Sequence, residues 1–423
     1  VVVGDEAGTA LTTGDNNVAV GFEALVTEDA HGNNTAVGYR ALKTLNAGAE
    51  GYNVAVGTNA GTAVTTGLRN NFVGGFTGDA ITTGSDNVAI GHAALTTDDV
   101  GSKSTAVGAD ALSAQNFATS TDTHNTAVGY QAGVSVSTGV SNTLIGSQSG
   151  DALTTGAYNV AVGHLALSTE DTSNNNTAVG YAALMTLNGG TQNVALGQSA
   201  AVAMTTGNQN TIIGTNAGDA LTDADGNVAV GTLALTSDTL GSDSIAIGNN
   251  ALSSQNFTTA TSSYNVAIGK NAGLDITTGL RNNLFGAFAG DSLTDADDNV
   301  AVGDSALNSD TLGSKSVAIG RGTLATQNFT TATDVYNVAV GYFAGNAITT
   351  SQYNTLIGGL AGDALTTGNE NTALGVGALG TETAGDRNVA VGNGALSTQN
   401  ITGGGDIYNT AAGYFAGAAI TTG

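Results

Sequence analysis

An all-β parallel β-solenoid, or β-roll, is the fold the sequence predicts, and three observations predict it. A five-residue block of the type NVAVG recurs along all 423 residues, most copies stand 17 residues apart, and the segments between them are rich in Gly, Asn and Thr. Self-similarity at a short fixed period, with no break in composition, marks stacked repeats rather than separate domains. Seventeen residues are too few for a pair of helices, and the block is β-branched and bounded by Asn and Gly, so each unit reads as one coil.

The glycines that close the block give 24 coils, from Gly4, Gly21 and Gly38 through to Gly375, Gly392 and Gly413. One spacing is 19, between Gly38 and Gly57, and four are 21, after Gly108, Gly248, Gly320 and Gly392. Taken in order, a coil is expected to hold a first strand such as Asn159 to Gly163, a Gly-x-x-Ala turn, a shorter second strand such as Asp151 to Thr155, and a Thr-Gly turn. Parallel stacking about 4.8 Å apart would extend 24 coils to roughly 110 Å. The residue four places after each glycine runs two small, two large (Gly61, Gly78, Leu95, Leu112), so the true module is four coils. Modules are 72 residues long, except for 68 between Gly129 and Gly197, and each carries one bulky residue where its sister coils have Ala: Phe72, Leu144, Ile212, Leu284 and Leu356. Residues 1–423 therefore read as a single continuous solenoid. Because the chain opens at Val1 and stops at Gly423 inside a repeat, it is expected to be a fragment of a longer polypeptide.

Four places before the closing glycine stands Asn in 20 of the 23 coils that have the position, with Ser104, Ser244 and Ser316 in the others. The column includes Asn17, Asn34, Asn53, Asn87, Asn125, Asn159, Asn193, Asn227, Asn265, Asn299, Asn337, Asn371 and Asn409. In register these amides are expected to stack as a structural ladder, each donating to the carbonyl oxygen of the next. The Ala three places after the glycine, replaced only by Thr77, Ser149 and Thr323, reads as a small side chain required inside a narrow coil.

Charge and composition exclude several function classes. Nine Lys plus Arg face 34 Asp plus Glu, a net charge of −25, which repels nucleic acid and anionic lipid alike. The chain has no Cys, so it has neither disulfides nor thiolate metal sites, and no apolar run approaches a membrane span. The four histidines, His31, His92, His124 and His164, occupy different stations of different coils, which argues against a shared metal or catalytic role. Asp223-Ala-Asp225-Gly226 and Asp295-Ala-Asp297-Asp298 lack the frame of a calcium loop and read as surface acids at turns. No catalytic residue, metal site or cofactor is expected, because a site needs residues unlike their surroundings and this repeat never breaks.

None of the 23 complete copies of the block from Asn to Gly contains a charge. A strand with one solvated face should show polarity on alternate residues, so this strand is expected to be covered on both faces. A coil of this size covers one. The other cover is expected to be further copies of the same chain, three around an axis along the rod.

NTAVGYRAL (34–42), NVAVGHLAL (159–167) and SIAIGNNAL (244–252) resemble the head repeats of trimeric autotransporter adhesins, the YadA-like left-handed parallel β-roll. They resemble still more closely the repeats of bacterial and bacteriophage proteins described as tail-fibre-domain proteins, and the likeness covers the whole chain. The resemblance implies a left-handed homotrimeric fibre, extracellular on a bacterial surface or a virion, that serves attachment to a host-surface glycan or protein receptor. The coils here are longer than the adhesin-head unit, and no stalk, anchor or C-terminal chaperone segment is present to tell the two owners apart.

Candidate ligand contacts lie in the insertions of the 21-residue coils, SAQNFATSTDTH (113–124), SSQNFTTATSSY (253–264), ATQNFTTATDVY (325–336) and STQNITGGGDIY (397–408), at Phe117, Phe257, Phe329 and Ile401. An apolar residue among Gln, Asn and Thr suits recognition, and it also suits a ring folded back to shield the coil edge. The alternative function is ice binding, suggested by Thr pairs on successive coils (Thr65-Thr66 and Thr82-Thr83; Thr349-Thr350 and Thr366-Thr367) but interrupted every two coils by residues such as Asp99 and Val100 or Gln115 and Asn116.

Overall fold

The computed structural model describes residues 1–422, and no helix occurs among them. Contacts divide the chain into two compact units, Val1–Gln209 and Asn210 onward. Each is a parallel β-solenoid that repeats the coil at the spacing of the NVAVG block, about 24 turns in all.

The strand of each coil is three residues long, and its neighbours are the same three residues of the adjacent coils. Val160–Val162 pairs in parallel with Thr143–Ile145 on one side and Thr177–Val179 on the other, so that Ala161 faces Leu144 and Ala178. Side chains alternate across it: Ala161 is fully buried while Val160 and Val162 stay partly exposed. Glycine ends the strand for a steric reason. Gly163 has φ +135, and a Cβ there would lie 2.4 Å from the carbonyl oxygen of Gly180 on the next coil, a contact no other residue can accept.

The expected second strand does not form. Between Gly150 and Thr155 the bonds alternate: Gly150 N–H reaches Ala166 O and Thr154 N–H reaches Asp171 O on the next coil, but Leu153 N–H closes back on Gly150 O. The interleaved tight turns break the ladder, leaving turns and bends at 151–155. The turn leading into 151–155 has Gly150 (φ 55) and Gln148 (φ 53) left-handed, and the next coil puts Leu165 (φ 58) and Leu167 (φ 55) in the same conformation, with Tyr158 (φ 60) before its Asn. Each such residue other than glycine costs roughly 1–2 kcal/mol against the right-handed form. Leu167 offsets the cost by full burial and by an inter-coil bond from its N–H to Ala183 O. Short two-residue pairs do form beside the insertions, Gly101–Ser102 with Thr121–Asp122 and Gly241–Ser242 with Thr261–Ser262 among them.

The core is columnar, with Ala161, Ala166, Leu167 and Leu153 all at 0% exposure. The bulky residue of each module and the small half of the two-small, two-large alternation are one device. A Cβ on Gly61 would meet Phe72 Cδ2 at 2.8 Å, and one on Gly78 would meet Phe72 Cε1 at 2.5 Å. Gly133 and Gly150 flank Leu144 in the same way, and Gly273 and Gly290 flank Leu284. Volume moves from the turn to the strand and back, so the coil keeps one cross-section at close packing.

Half-buried acids beside this core carry a pH signature. Burial pushes the carboxyls of Asp151, Asp291 and Asp363 above the usual range, and the Asp275 carboxylate adds to the effect at Asp291. One carboxylate oxygen of Asp151 and one of Asp291 are buried without a partner. A folded-state value above the unfolded one stabilises the fold below the ordinary carboxylate range, and that stabilisation is lost as pH rises through the raised value. The triple variant Asp151→Asn, Asp291→Asn, Asp363→Asn should therefore melt higher than the parent near pH ~7 and together with it near pH ~3. Thermal melts at the two pH values check this.

Candidate functional site

The Asn column is buried throughout both units, at 0 to 7% exposure from Asn17 to Asn371, with Asn409 partly exposed at the end of the described coils. Its bonding differs in pattern from amide-to-amide stacking. Asn53 Oδ1 accepts the backbone N–H of Asn70 at 2.9 Å, while Asn53 Nδ2 donates to Gly67 O at 3.0 Å. Asn159 does the same with Asn176 N–H (3.0 Å) and Ser173 O (2.8 Å), and Asn227 with Ser244 N–H (2.9 Å) and Gly241 O (2.8 Å). The side-chain amide thus fills the gap between the first carbonyl and the last N–H of the turn on the next coil, satisfying both buried groups at once. Direct amide contacts occur at fewer coils and run from 3.0 Å, Asn388 Nδ2 to Asn371 Oδ1, to 3.4 Å, Asn53 Nδ2 to Asn34 Oδ1.

Where Ser replaces Asn, a second buried network takes over. Ser244 Oγ lies 2.6 Å from Ser263 Oγ, Gln255 Nε2 donates to Ser244 Oγ and to Asp238 Oδ2, and Gln255 Oε1 accepts from Asn265 Nδ2. Asp98 with Gln115 and Asp310 with Gln327 repeat the arrangement. One fully buried acid stands at this station in every module, namely Glu28, Asp98, Glu170, Asp238, Asp310 and Glu382. Burial raises the Asp98 carboxyl above the usual range against the lowering effect of its bonds to Gln115 and to backbone N–H groups. Sequence reasoning missed these acids. Their signal is a charge seven residues after the closing glycine, where the other coils carry Leu, Ile, Val, Met or Gln.

The same acids anchor the inserted loops. Asp238 Oδ1 accepts the N–H of Phe257, Asp310 Oδ1 that of Phe329, and Glu382 Oε1 that of Ile401. The rings of Phe117, Phe257 and Phe329 fold inward to 5–6% exposure, and Phe257 packs against Gly241, where a Cβ would come within 2.8 Å of the ring. These three rings are therefore not presented to a ligand; Ile401 is partly exposed. Of each Thr pair, the first hydroxyl is spent on the next coil, as in Thr65 to Thr82 O and Thr366 to Thr383 O, so one of the two hydroxyl columns of an ice plane is absent there.

Glu28, Asp29 and His31 form a group of three ligand-type side chains with donor atoms within 4.8 Å of one another. Both oxygens of Glu28 already accept backbone N–H groups, from His31 and Ala47, and serve the turn. His92, His124 and His164 lie apart from it in sequence and from one another. No helix among the described residues is long and apolar enough to cross a membrane.

Two features mark the outward strand face as the surface to explain. Its Val, Ile and Leu side chains range from half-buried, as at Val20, Val37, Val162 and Val230, to open, at 36% for Val56 and 46% for Leu196 in the first unit and 38% for Ile357 and 44% for Leu374 in the second. Every one of the eleven Tyr is exposed, from 42% at Tyr39 to 78% at Tyr414. They fall in two columns that bracket the strand: Tyr52, Tyr158, Tyr264, Tyr336, Tyr353 and Tyr408 just before the Asn, and Tyr39, Tyr130, Tyr181, Tyr342 and Tyr414 just after the Gly. The basic side chains are committed within the chain. Eight of the nine pair with acids, mostly on adjacent coils, as in Arg69 with Asp86 and Arg281 with Asp298, and Lys270 lies 5.7 Å from the Phe288 ring centroid. A charge-free band of Val, Ile, Leu and Thr, edged by columns in which the tyrosines alternate with polar and paired charged side chains, suits an interface with an apolar centre and a polar rim.

Compared with known proteins, the chain matches no family model, and no curated protein matches its sequence.

Proposed function

We propose that the protein is a structural and adhesive segment, a homotrimeric β-roll that forms the shaft or head of an extracellular appendage or phage tail fibre. The observation that carries this reading is the outward strand face, which has no charge in any complete coil and carries Val, Ile, Leu or Phe just before the closing glycine in all but the last, and which one chain leaves partly or openly exposed. Contiguous apolar surface of this kind in a soluble chain marks a site of association. A parallel solenoid presents the face at the same place in each coil, so copies related by an axis along the coil stack would cover it continuously. The likeness of NTAVGYRAL and its sister blocks to trimeric adhesin and tail-fibre repeats supports the same arrangement and its placement on a cell surface or virion. The committed basic side chains and the net charge of −25 favour neutral partners over nucleic acid or anionic membrane.

Sedimentation equilibrium tests it. The expected mass is three times the 41.2 kDa of the chain. A monomer would remove the reason given for the charge-free face, and thermal hysteresis by that monomer would favour ice binding instead.

A further inference from the structure

Two modules alternate in charge along one surface column, the last module has a tyrosine where their first cation stands, and a cleft opens beside it. Just before the Asn, or the Ser that replaces it, two modules run cation, anion, cation along successive coils, Arg69, Asp86, Lys103 and Arg281, Asp298, Lys315, and the lysine of each pairs with an acid of the following insertion, Asp122 or Asp334. The last module runs Tyr353, Glu370, Arg387 at these positions, with Asp406 in the insertion that follows. With no cation at Tyr353 to hold it, Glu370 turns to Arg387, its Oε2 accepting from Nε at 3.0 Å, and Arg387 also engages Asp406 and the Tyr408 hydroxyl (3.0 Å).

The result is a cleft of about 310 Å³ lined by Gln352, Tyr353, Asn369, Glu370, Asp386 and Arg387. Tyr353 stacks one ring face on Tyr336, with centroids 5.8 Å apart and planes 15° apart. Tyr336 belongs to the preceding coil, so the other ring face looks toward the coils of Glu370 and Arg387. Tyr353 and Arg387 are two coils apart, roughly 10 Å at the usual strand spacing. The floor is polar and largely unspent: Asn369 Oδ1 accepts from Gln352 N–H and Asp386 Oδ1 from Asn369 N–H, leaving the Gln352 amide, Asn369 Nδ2, the second Asp386 oxygen and the Tyr353 hydroxyl without a partner among the described residues.

We infer that this cleft binds a single pyranose ring of a neutral or amino sugar, its C–H face on Tyr353 and its hydroxyls on Glu370, Asp386, Asn369 and Gln352. An aromatic plate beside a dense array of donors and acceptors suits a ring that is apolar on its faces and hydroxylated at its rim. The charge balance selects among sugars. Glu370 and Asp386 face the cleft with one guanidinium already paired, so carboxylated sugars are repelled. The site is complete within one chain and does not depend on the assembly proposed above.

Saturation-transfer NMR on the full chain tests it with methyl glycosides of glucose, galactose, N-acetylglucosamine and glucosamine, and with N-acetylneuraminic acid. At least one of the four should bind saturably, and the acid should not. Tyr353→Ala should weaken binding at least tenfold. Tyr353→Arg restores the cation that Arg281 supplies in the preceding module; it should melt like the parent and lose the signal. The inference is overturned if none of the four binds, if the acid binds as well as they do, or if Tyr353→Arg binds as tightly as the parent.

Discussion

Phe72→Ala should destabilise the first unit by about 3–5 kcal/mol, the range for removing a buried aromatic ring from a packed core. Phe72 is fully buried, and the two positions nearest its ring, Gly61 and Gly78, have no side chains to collapse into the hole. The sister coils show how the hole can be filled. Ala106 stands between Leu95 and Leu112, both buried and both left-handed at φ 54 and φ 49, while Gly61 and Gly78 hold φ 57 and φ 55. Adding Gly61→Leu and Gly78→Leu to Phe72→Ala should therefore recover most of the loss, although each leucine alone beside Phe72 would overpack the coil. Denaturant unfolding of the single, double and triple variants checks the account. A triple variant no more stable than Phe72→Ala would show that the volumes do not trade.

The second large effect concerns the outward face. Ile357→Glu and Leu374→Glu, made together, place two carboxylates on adjacent coils of a strand column that has none. In a single chain both positions are open to water, at 38% and 44%, and the change should scarcely alter its stability. In the proposed trimer each unpaired charge is buried, at a cost of about 3–5 kcal/mol where no partner compensates it. The variant should fold, with an unchanged β signature in circular dichroism, and sediment at the mass of one chain. The control Thr367→Glu, on an exposed turn, should leave the parent mass intact.

These two variants mark what the sequence makes legible. The strand, its register and the buried Ala are readable from the 17-residue spacing, because parallel stacking of identical coils leaves no freedom of register. The bulky strand residue and the Gly-Leu alternation are each visible in the sequence; that they exchange volume with each other requires the path of the chain between Phe72 and Gly78. The second strand is over-read because DALTT has strand-like composition, whereas it follows a left-handed turn at Gln148 and Gly150 that the next coil repeats at Leu165 and Leu167, a choice the local preference of leucine does not announce. The Asn column is readable as structural, but its partners are not, since they are backbone groups of the next turn. Phe257 is readable only as a residue that either meets a ligand or shields the coil. The buried Asp238 that decides for shielding is nineteen residues away and looks, in sequence, like one surface acid among many.

In the proposed assembly, copies of the chain meet at the charge-free strand face. The chain contains no Cys, so a single one can be placed at will. Ile145→Cys puts a thiol on the outward strand face, at a position 39% exposed in one chain, and Thr155→Cys puts one on the exposed turn of the same coil. Under a short bifunctional thiol crosslinker, Ile145→Cys should form covalent species of more than one chain in high yield while Thr155→Cys stays at one chain. Equal yields at the two positions, or no crosslinked species from Ile145→Cys in a sample that sediments as a trimer, would contradict that contact.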